Sequence, residues 1–163
     1  MAGLSWLNAL KEEQAREVFL IVGGSTAWAR AMAAGRPYED EVQLQQAARR
    51  RWDDLSRADW LEAFGRHPKI GDKESIRKKL SEQAQVSEAS EAVLEGLEKG
   101  NSEYQKRFGF IFIVCAAGKS AEKMLQLLKE RLRHEPKHEL YVAAAEQAAI
   151  MKLRVEKLLK DHE

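Results

Sequence analysis

Two stretches hold the side chains best suited to chemistry. In "FGRHPKIGDK", Phe64 to Lys73, a His stands directly before a Pro, and Gly71 follows. Pro68 biases His67 away from helical backbone, and Gly71 permits a sharp turn. A His held between a helix end and a turn has a fixed backbone and can project its imidazole into a cleft. There it can donate or accept a proton near neutral pH. The residue types alone leave a second reading open, since a His before Pro is also an ordinary loop or helix-end residue. In the other stretch, "HEPKH" from His134 to His138, the string H-E-x-x-H matches a zinc-protease motif letter for letter. That motif needs both His on one face of a continuous helix. Pro136 stands between them, and Pro disfavours helix at Glu135. The physics therefore places His134 and His138 on either side of a helix–helix turn and predicts no metal site.

Three further motifs have ordinary explanations. "AAGKS", Ala116 to Ser120, resembles the end of a phosphate-binding loop, but Ile113 stands where that motif needs its first Gly. A Gly turn followed by a Ser N-cap accounts for it. The basic run in "KESIRKKL" reads as a solvated helix face. Cys115 lies in an apolar run and reads as a buried, inert thiol.

The elements that must position these groups are helical. Apolar spacing predicts a helix from Lys11 to Val22 closed by Gly23-Gly24, and a short one from Ser25-Thr26 to Ala33. In "YEDEVQLQQAARRRWDDL", Val42, Leu44, Ala47, Ala48, Trp52 and Leu55 form an amphipathic pattern. Ser56 and Asp59 form a capping box for a helix carrying Trp60, Leu61 and Phe64. Ser87 reads as the N-cap of a long helix through Tyr104, with Gly100 a point of bending or breakage. Ser120 caps another helix, and a last one runs from Lys137 to Lys160. The four Trp fall at helical positions and read as core or interface residues. "FGFIFIVCAAG" alone looks β-like. One isolated strand makes no sheet, so it is either a buried extended segment or the apolar end of a helix. The expected architecture is an all-α, single-domain multi-helix bundle covering residues 1–163.

Composition narrows the partners. The chain has 163 residues, 44% apolar and 33% charged, enough for one sizeable core. A formal net charge of +1 gives no reason to expect nucleic acid. A single Cys allows no internal disulfide and fits a reducing compartment. No apolar run approaches membrane-spanning length, and acidic residues interrupt the N-terminal stretch where a signal peptide would be apolar. The expectation is a soluble, cytoplasmic protein.

The ordered set "FGRHPKIGD", "SEQA" (Ser81 to Ala84), "NSEYQKRFGFIFIVCAAGKS" and "EQAAIMKLRVEKLL" closely resembles the 2-oxo-4-hydroxy-4-carboxy-5-ureidoimidazoline (OHCU) decarboxylase family of urate breakdown. The likeness runs from "LNAL" at Leu7 to the final helix. It implies an all-helical, cofactor-free enzyme, usually a homodimer, that takes the small molecule OHCU and releases CO2 to give (S)-allantoin. By this resemblance His67, Glu82 and Arg154 are the catalytic residues. Pro68, Ser81, Gln83 and the stretch Phe112, Ile113, Val114, Cys115 and Ala116 contact substrate. No transthyretin-like hydrolase domain is recognisable in the sequence. Two rivals remain: a non-enzymatic helical interaction module, with His67, Glu82 and Arg154 scattered on separate surfaces, and a zinc hydrolase using His134 and His138.

Overall fold

A computed structural model describes residues 2–67, 76 and 91–163. Among them the regular structure is entirely helical: α1 (Ala2–Ala9), α2 (Glu12–Gly23), α3 (Thr26–Ala34), α4 (Glu41–Asp53), α5 (Arg57–Gly65), α6 (Glu91–Phe108), α7 (Ala121–Arg131) and α8 (Pro136–Asp161). Contacts divide the chain into two compact units, Met1–His67 with Gln147–Glu163, and Pro68–Glu146.

In the first unit, local signals set the helix ends. Glu12 and Glu13 sit in the first turn of α2, where acidic side chains are stabilised by the positive end of the helix dipole. Its C-terminus closes at Gly24, in the left-handed region with φ 79°, whose N–H donates to the Leu20 carbonyl. The Ser25 side chain accepts from the Trp28 N–H to start α3, and Asp40 accepts from Gln43 N–H to start α4. Ser56 and Asp59 form the expected reciprocal box on α5. Trp28, Trp52, Phe19, Phe64, Leu44 and Met32 are fully buried. Trp28 stands edge-on to Phe19 with centroids 5.7 Å apart. Its indole N–H donates to the Ala48 carbonyl, which satisfies the ring's one donor inside the core. Val42 departs from the expected apolar stripe of α4 and is 64% exposed. The helix turns it away because Leu44, Ala47, Ala48 and Trp52 already define the buried face.

The α1 helix was not anticipated from sequence. It is short, and tertiary packing holds it: a Cβ on Gly3 would fall 2.0 Å from the Leu159 carbonyl oxygen. Trp6 stacks on His162 with centroids 3.5 Å apart and an interplanar angle of 9°.

In the second unit, α6 packs on α7. Gly100 neither breaks nor ends α6; it is buried within the helix. A Cβ there would lie 2.5 Å from Leu128 Cδ2, and one on Gly96 2.9 Å from Leu125 Cδ2. The two glycines, one turn apart, let α7 lie close. Ser87, the expected N-cap of α6, lies outside the described residues. Ser120 caps α7 as expected, accepting from Lys123 N–H, and Gly118 makes the preceding turn with φ 75°.

Candidate active site

The α5 helix ends at Gly65, and the N–H groups of Arg66 and His67 still bond back to the Ala63 and Phe64 carbonyls. His67 therefore leaves a helix end just before Pro68, as its sequence context predicted. Its Nε2 lies 2.6 Å from Gln147 Oε1. Gln147 is 1% exposed, and its Nε2 donates to the Gly23 carbonyl at 3.2 Å. Arg154 donates from Nη1 to the Val22 carbonyl at 2.9 Å.

These contacts share one origin. Gln147 and Arg154 are seven residues apart on α8, about two turns, so they share a face of that helix. Their acceptors are consecutive carbonyls in the last turn of α2. Those carbonyls lack onward helical partners and carry the negative end of the helix dipole, which favours a cation such as Arg154. Burial pulls the Arg154 pKa below its usual value, but a guanidinium remains charged at any physiological pH. The Gly-Gly pair makes this end of α2 possible. A Cβ on Gly23 would lie 2.6 Å from the Trp28 ring, and one on Gly24 would press on the Ala63 backbone at 3.2 Å. Gln147, which bonds the His67 ring, and Arg154 thus bond consecutive carbonyls at the C-terminus of α2 within one unit.

The second unit holds the other expected segment. Residues 111–116 are neither helix nor strand. "FIFIV" is therefore not the apolar end of a helix, the second of the two alternatives its composition allowed, and of its residues only Phe110 and Ile113 are buried. Side chains replace the missing neighbouring strand. Arg131 Nη1 donates to the Ile113 carbonyl at 2.5 Å, Cys115 N–H donates to Glu146 Oε1 at 3.1 Å, and Lys119 Nζ donates to the Cys115 carbonyl at 2.7 Å. Ile113 is buried; Phe112, Val114, Cys115 and Ala116 are half-buried. Cys115 is thus less enclosed than the inert buried thiol expected from its apolar neighbours.

Arg131 is itself held by a buried network. Its Nε donates to Glu139 Oε2 at 2.8 Å, and its Nη2 reaches the same oxygen. The Tyr104 hydroxyl donates to Glu139 Oε2 as well. The guanidinium lies 4.6 Å from the centre of the Phe112 ring, a cation–π contact. Burial pushes the Tyr104 phenol far above its ordinary pKa, so it stays a donor. His134 Nδ1 lies 2.9 Å from Glu139 Oε1. The α8 helix starts at Pro136, leaving His134 before it and His138 in its first turn, as Pro136 predicted. Among the described residues, no group of three or more His, Cys, Asp or Glu could hold a metal ion.

Pro68, Ser81, Glu82 and Gln83 lie outside the described residues. Gln147, Arg131, Glu139 and Glu146 were not singled out from sequence. Gln147 had a signal, because it falls on the buried stripe Leu140, Ala143, Ala144, Ala148, Met151, Val155 and Leu159. A polar residue on a core-facing stripe must find partners inside.

The family model for OHCU decarboxylase matches residues 8–156. The chain belongs to the OHCU decarboxylase family. It is 38% identical over 146 residues to the uric acid degradation bifunctional protein TTL of Arabidopsis thaliana, matching 85% of this chain and 45% of that protein. The chain thus spans under half the length of that relative. Over 163 residues it is 29% identical to the 2-oxo-4-hydroxy-4-carboxy-5-ureidoimidazoline decarboxylase of Amia calva, covering 94% of this chain and 93% of the other. Its fold is similar to a crystal structure of an OHCU decarboxylase obtained in the presence of (S)-allantoin. The TM-score is 0.77 at 36% identity, covering 93% of this chain and 99% of that one. Among the described residues, no helix is long and apolar enough to cross a membrane.

Proposed function

We propose that this chain is a carboxy-lyase that decarboxylates OHCU to (S)-allantoin in urate degradation, acting as one OHCU decarboxylase-like domain. Family membership along nearly the whole chain carries this reading. It is supported by the bonds that Arg154 and Gln147, the partner of the His67 ring, make to consecutive carbonyls in the C-terminal turn of α2.

The chemistry suits these residue types without a cofactor. Breaking the bond to the carboxylate releases CO2 and leaves an electron pair on the ring carbon. An adjacent C=N or C=O group accepts that pair as an enolate-like anion. Arg154 stabilises the developing negative charge; one preorganised donor of this kind is worth on the order of 10²–10³ in rate. As the hydroxyl on the decarboxylated carbon loses its proton and becomes a carbonyl, His67 delivers a proton to the neighbouring ureido-bearing carbon, a contribution of roughly 10²–10⁴, and is reprotonated from solvent. In this reading Glu82 accepts hydrogen bonds from the ureido or ring N–H groups and fixes which face of the intermediate meets His67. Pro68, Ser81, Gln83 and the stretch Phe112 to Ala116 line the substrate, with the apolar side chains keeping water away from the charges.

We place the protein in the cytoplasm, on the strength of its single Cys, and take it to act as a homodimer, as the family resemblance implies. Purified protein given freshly generated OHCU should release CO2 and form allantoin well above the spontaneous rate. The active species should elute at twice the monomer mass. Turnover no faster than the uncatalysed decay would overturn the assignment.

A further inference from the structure

We infer that Gln147 is a positioning residue that holds His67 with its proton on Nε2. The inference rests on the role proposed for His67 and deepens it.

The argument starts from the Gly23 carbonyl. A carbonyl oxygen only accepts hydrogen bonds. The group 3.2 Å from it must therefore be the NH2 of Gln147. That fixes which way the amide faces. Its oxygen must then face His67, where it lies 2.6 Å from Nε2. An amide oxygen cannot donate, so Nε2 must carry the hydrogen. In the neutral ring, the basic lone pair is then on Nδ1. When the ring is protonated, Nε2–H still donates to Gln147, and the second proton sits on Nδ1. The same contact serves both states, so the ring need not turn during the reaction.

Burial makes the arrangement rigid. Gln147 is 1% exposed, so an unmade hydrogen bond on either end of its amide is not repaired by bulk water. Rotating the amide would set its oxygen against the Gly23 carbonyl and its NH2 against His67, losing the first bond outright. The Gly23 carbonyl is in turn fixed at the end of α2, with Gly24 capping back to Leu20 and the Trp28 ring packed where a Gly23 side chain would go. Protonation chemistry at His67 is thus tied to the backbone of α2 through one buried amide.

The test reads the ring nitrogens directly. In 15N-labelled full-length protein, two-bond 15N–1H spectra distinguish the two neutral tautomers, and His67→Asn assigns its signals among the four His. Above the titration midpoint, His67 in the wild type should show a protonated Nε2 and an unprotonated Nδ1. Gln147→Met keeps the side-chain length and removes both hydrogen bonds. It should bring the two 15N shifts toward each other and lower kcat by roughly 10²-fold, the scale of a misplaced general acid, with KM changed less than about threefold. A wild-type His67 protonated on Nδ1, or a folded Gln147→Met variant with unchanged ring shifts and kcat, would overturn the inference. Should Gln147→Met fail to fold, the wild-type spectrum alone decides the tautomer. A proton on Nε2 in a wild type without turnover on OHCU would uphold the assignment and refute the activity proposed above.

Discussion

The His67 ring and the Phe112–Ala116 stretch are fixed in opposite ways. The His67 ring is bonded by a neutral group, the Gln147 amide, whose NH2 is anchored on the Gly23 carbonyl. The Phe112–Ala116 stretch is held by charges, with Arg131, Glu146 and Lys119 bonding its backbone where a sheet would have supplied a neighbour. The difference follows from what each must do. An amide oxygen accepts from the same ring N–H whether or not the second ring nitrogen is protonated, so this contact survives the coming and going of a proton. A stretch that only presents a wall can be clamped by a buried ion pair, which is directional and costly to break.

The comparison is broken most severely at Arg131. Arg131→Met removes the clamp on Ile113 and leaves the Glu139 carboxylate buried without its cation. Stability should fall by roughly 3–5 kcal/mol. In a domain of this size that lowers Tm by on the order of 10 °C. Calorimetry checks it, and a loss below about 1 kcal/mol would mean that the network is not what secures the second unit.

The next effect is on rate. Arg154→Lys keeps the positive charge near the Val22 carbonyl but lacks the planar fork that engages two acceptors at once. Turnover should drop by about 10²-fold at nearly unchanged Tm, the scale of one lost preorganised donor. Activity equal to wild type would remove Arg154 from the site.

Gly23→Ala sharpens the contrast, because it disturbs the neutral anchor without touching a functional side chain. The added methyl meets the Trp28 ring. Overpacking of this kind costs roughly 1–3 kcal/mol. A helix-propensity gain of about 1 kcal/mol offsets part of it. Because the Gly23 carbonyl must shift, kcat should fall by more than the stability loss explains. Unfolding curves and kinetics on the same sample separate the two.

These pairings also mark what the sequence made legible. Helix ends were readable because their causes are local. Ser25, Ser56 with Asp59, Ser120 and Gly24 each satisfy groups within four residues. His67 was readable because Pro68 stands beside it. Gln147, Arg131 and Glu146 were not, because their partners lie 80, 18 and 31 residues away. The role of Gly100 was hidden for the same reason: a helix glycine reads locally as a weak point, and only Leu128 shows it to be a contact. The α1 helix is too short to announce itself by periodicity, and its stability comes from Leu159 and His162 at the far end of the chain.

The smallest effect lies at the surface of the first unit. Burial tends to raise the Glu62 pKa, but hydrogen bonds from the Thr26 N–H and hydroxyl, aided by Arg66, outweigh it and hold the carboxyl below its ordinary value. A depressed carboxylate contributes stability above its unfolded-state pKa, lost as pH falls through the folded value. Glu62→Gln should therefore flatten the acid limb of stability against pH and change little at pH 7. Urea unfolding across the acid range checks this; an unaltered acid limb would show that the pair contributes nothing.

The most direct test of the central claim, that His67 protonates the intermediate of OHCU decarboxylation, is circular dichroism of the allantoin formed in D2O by the wild type and by His67→Asn. Circular dichroism reads rate and handedness together. The wild type should give a single enantiomer, (S), carrying deuterium at the new C–H bond. The Asn variant should retain the fold, slow toward the spontaneous rate and give product drifting toward racemic. A folded His67→Asn protein that still makes one enantiomer at near wild-type speed would contradict the account.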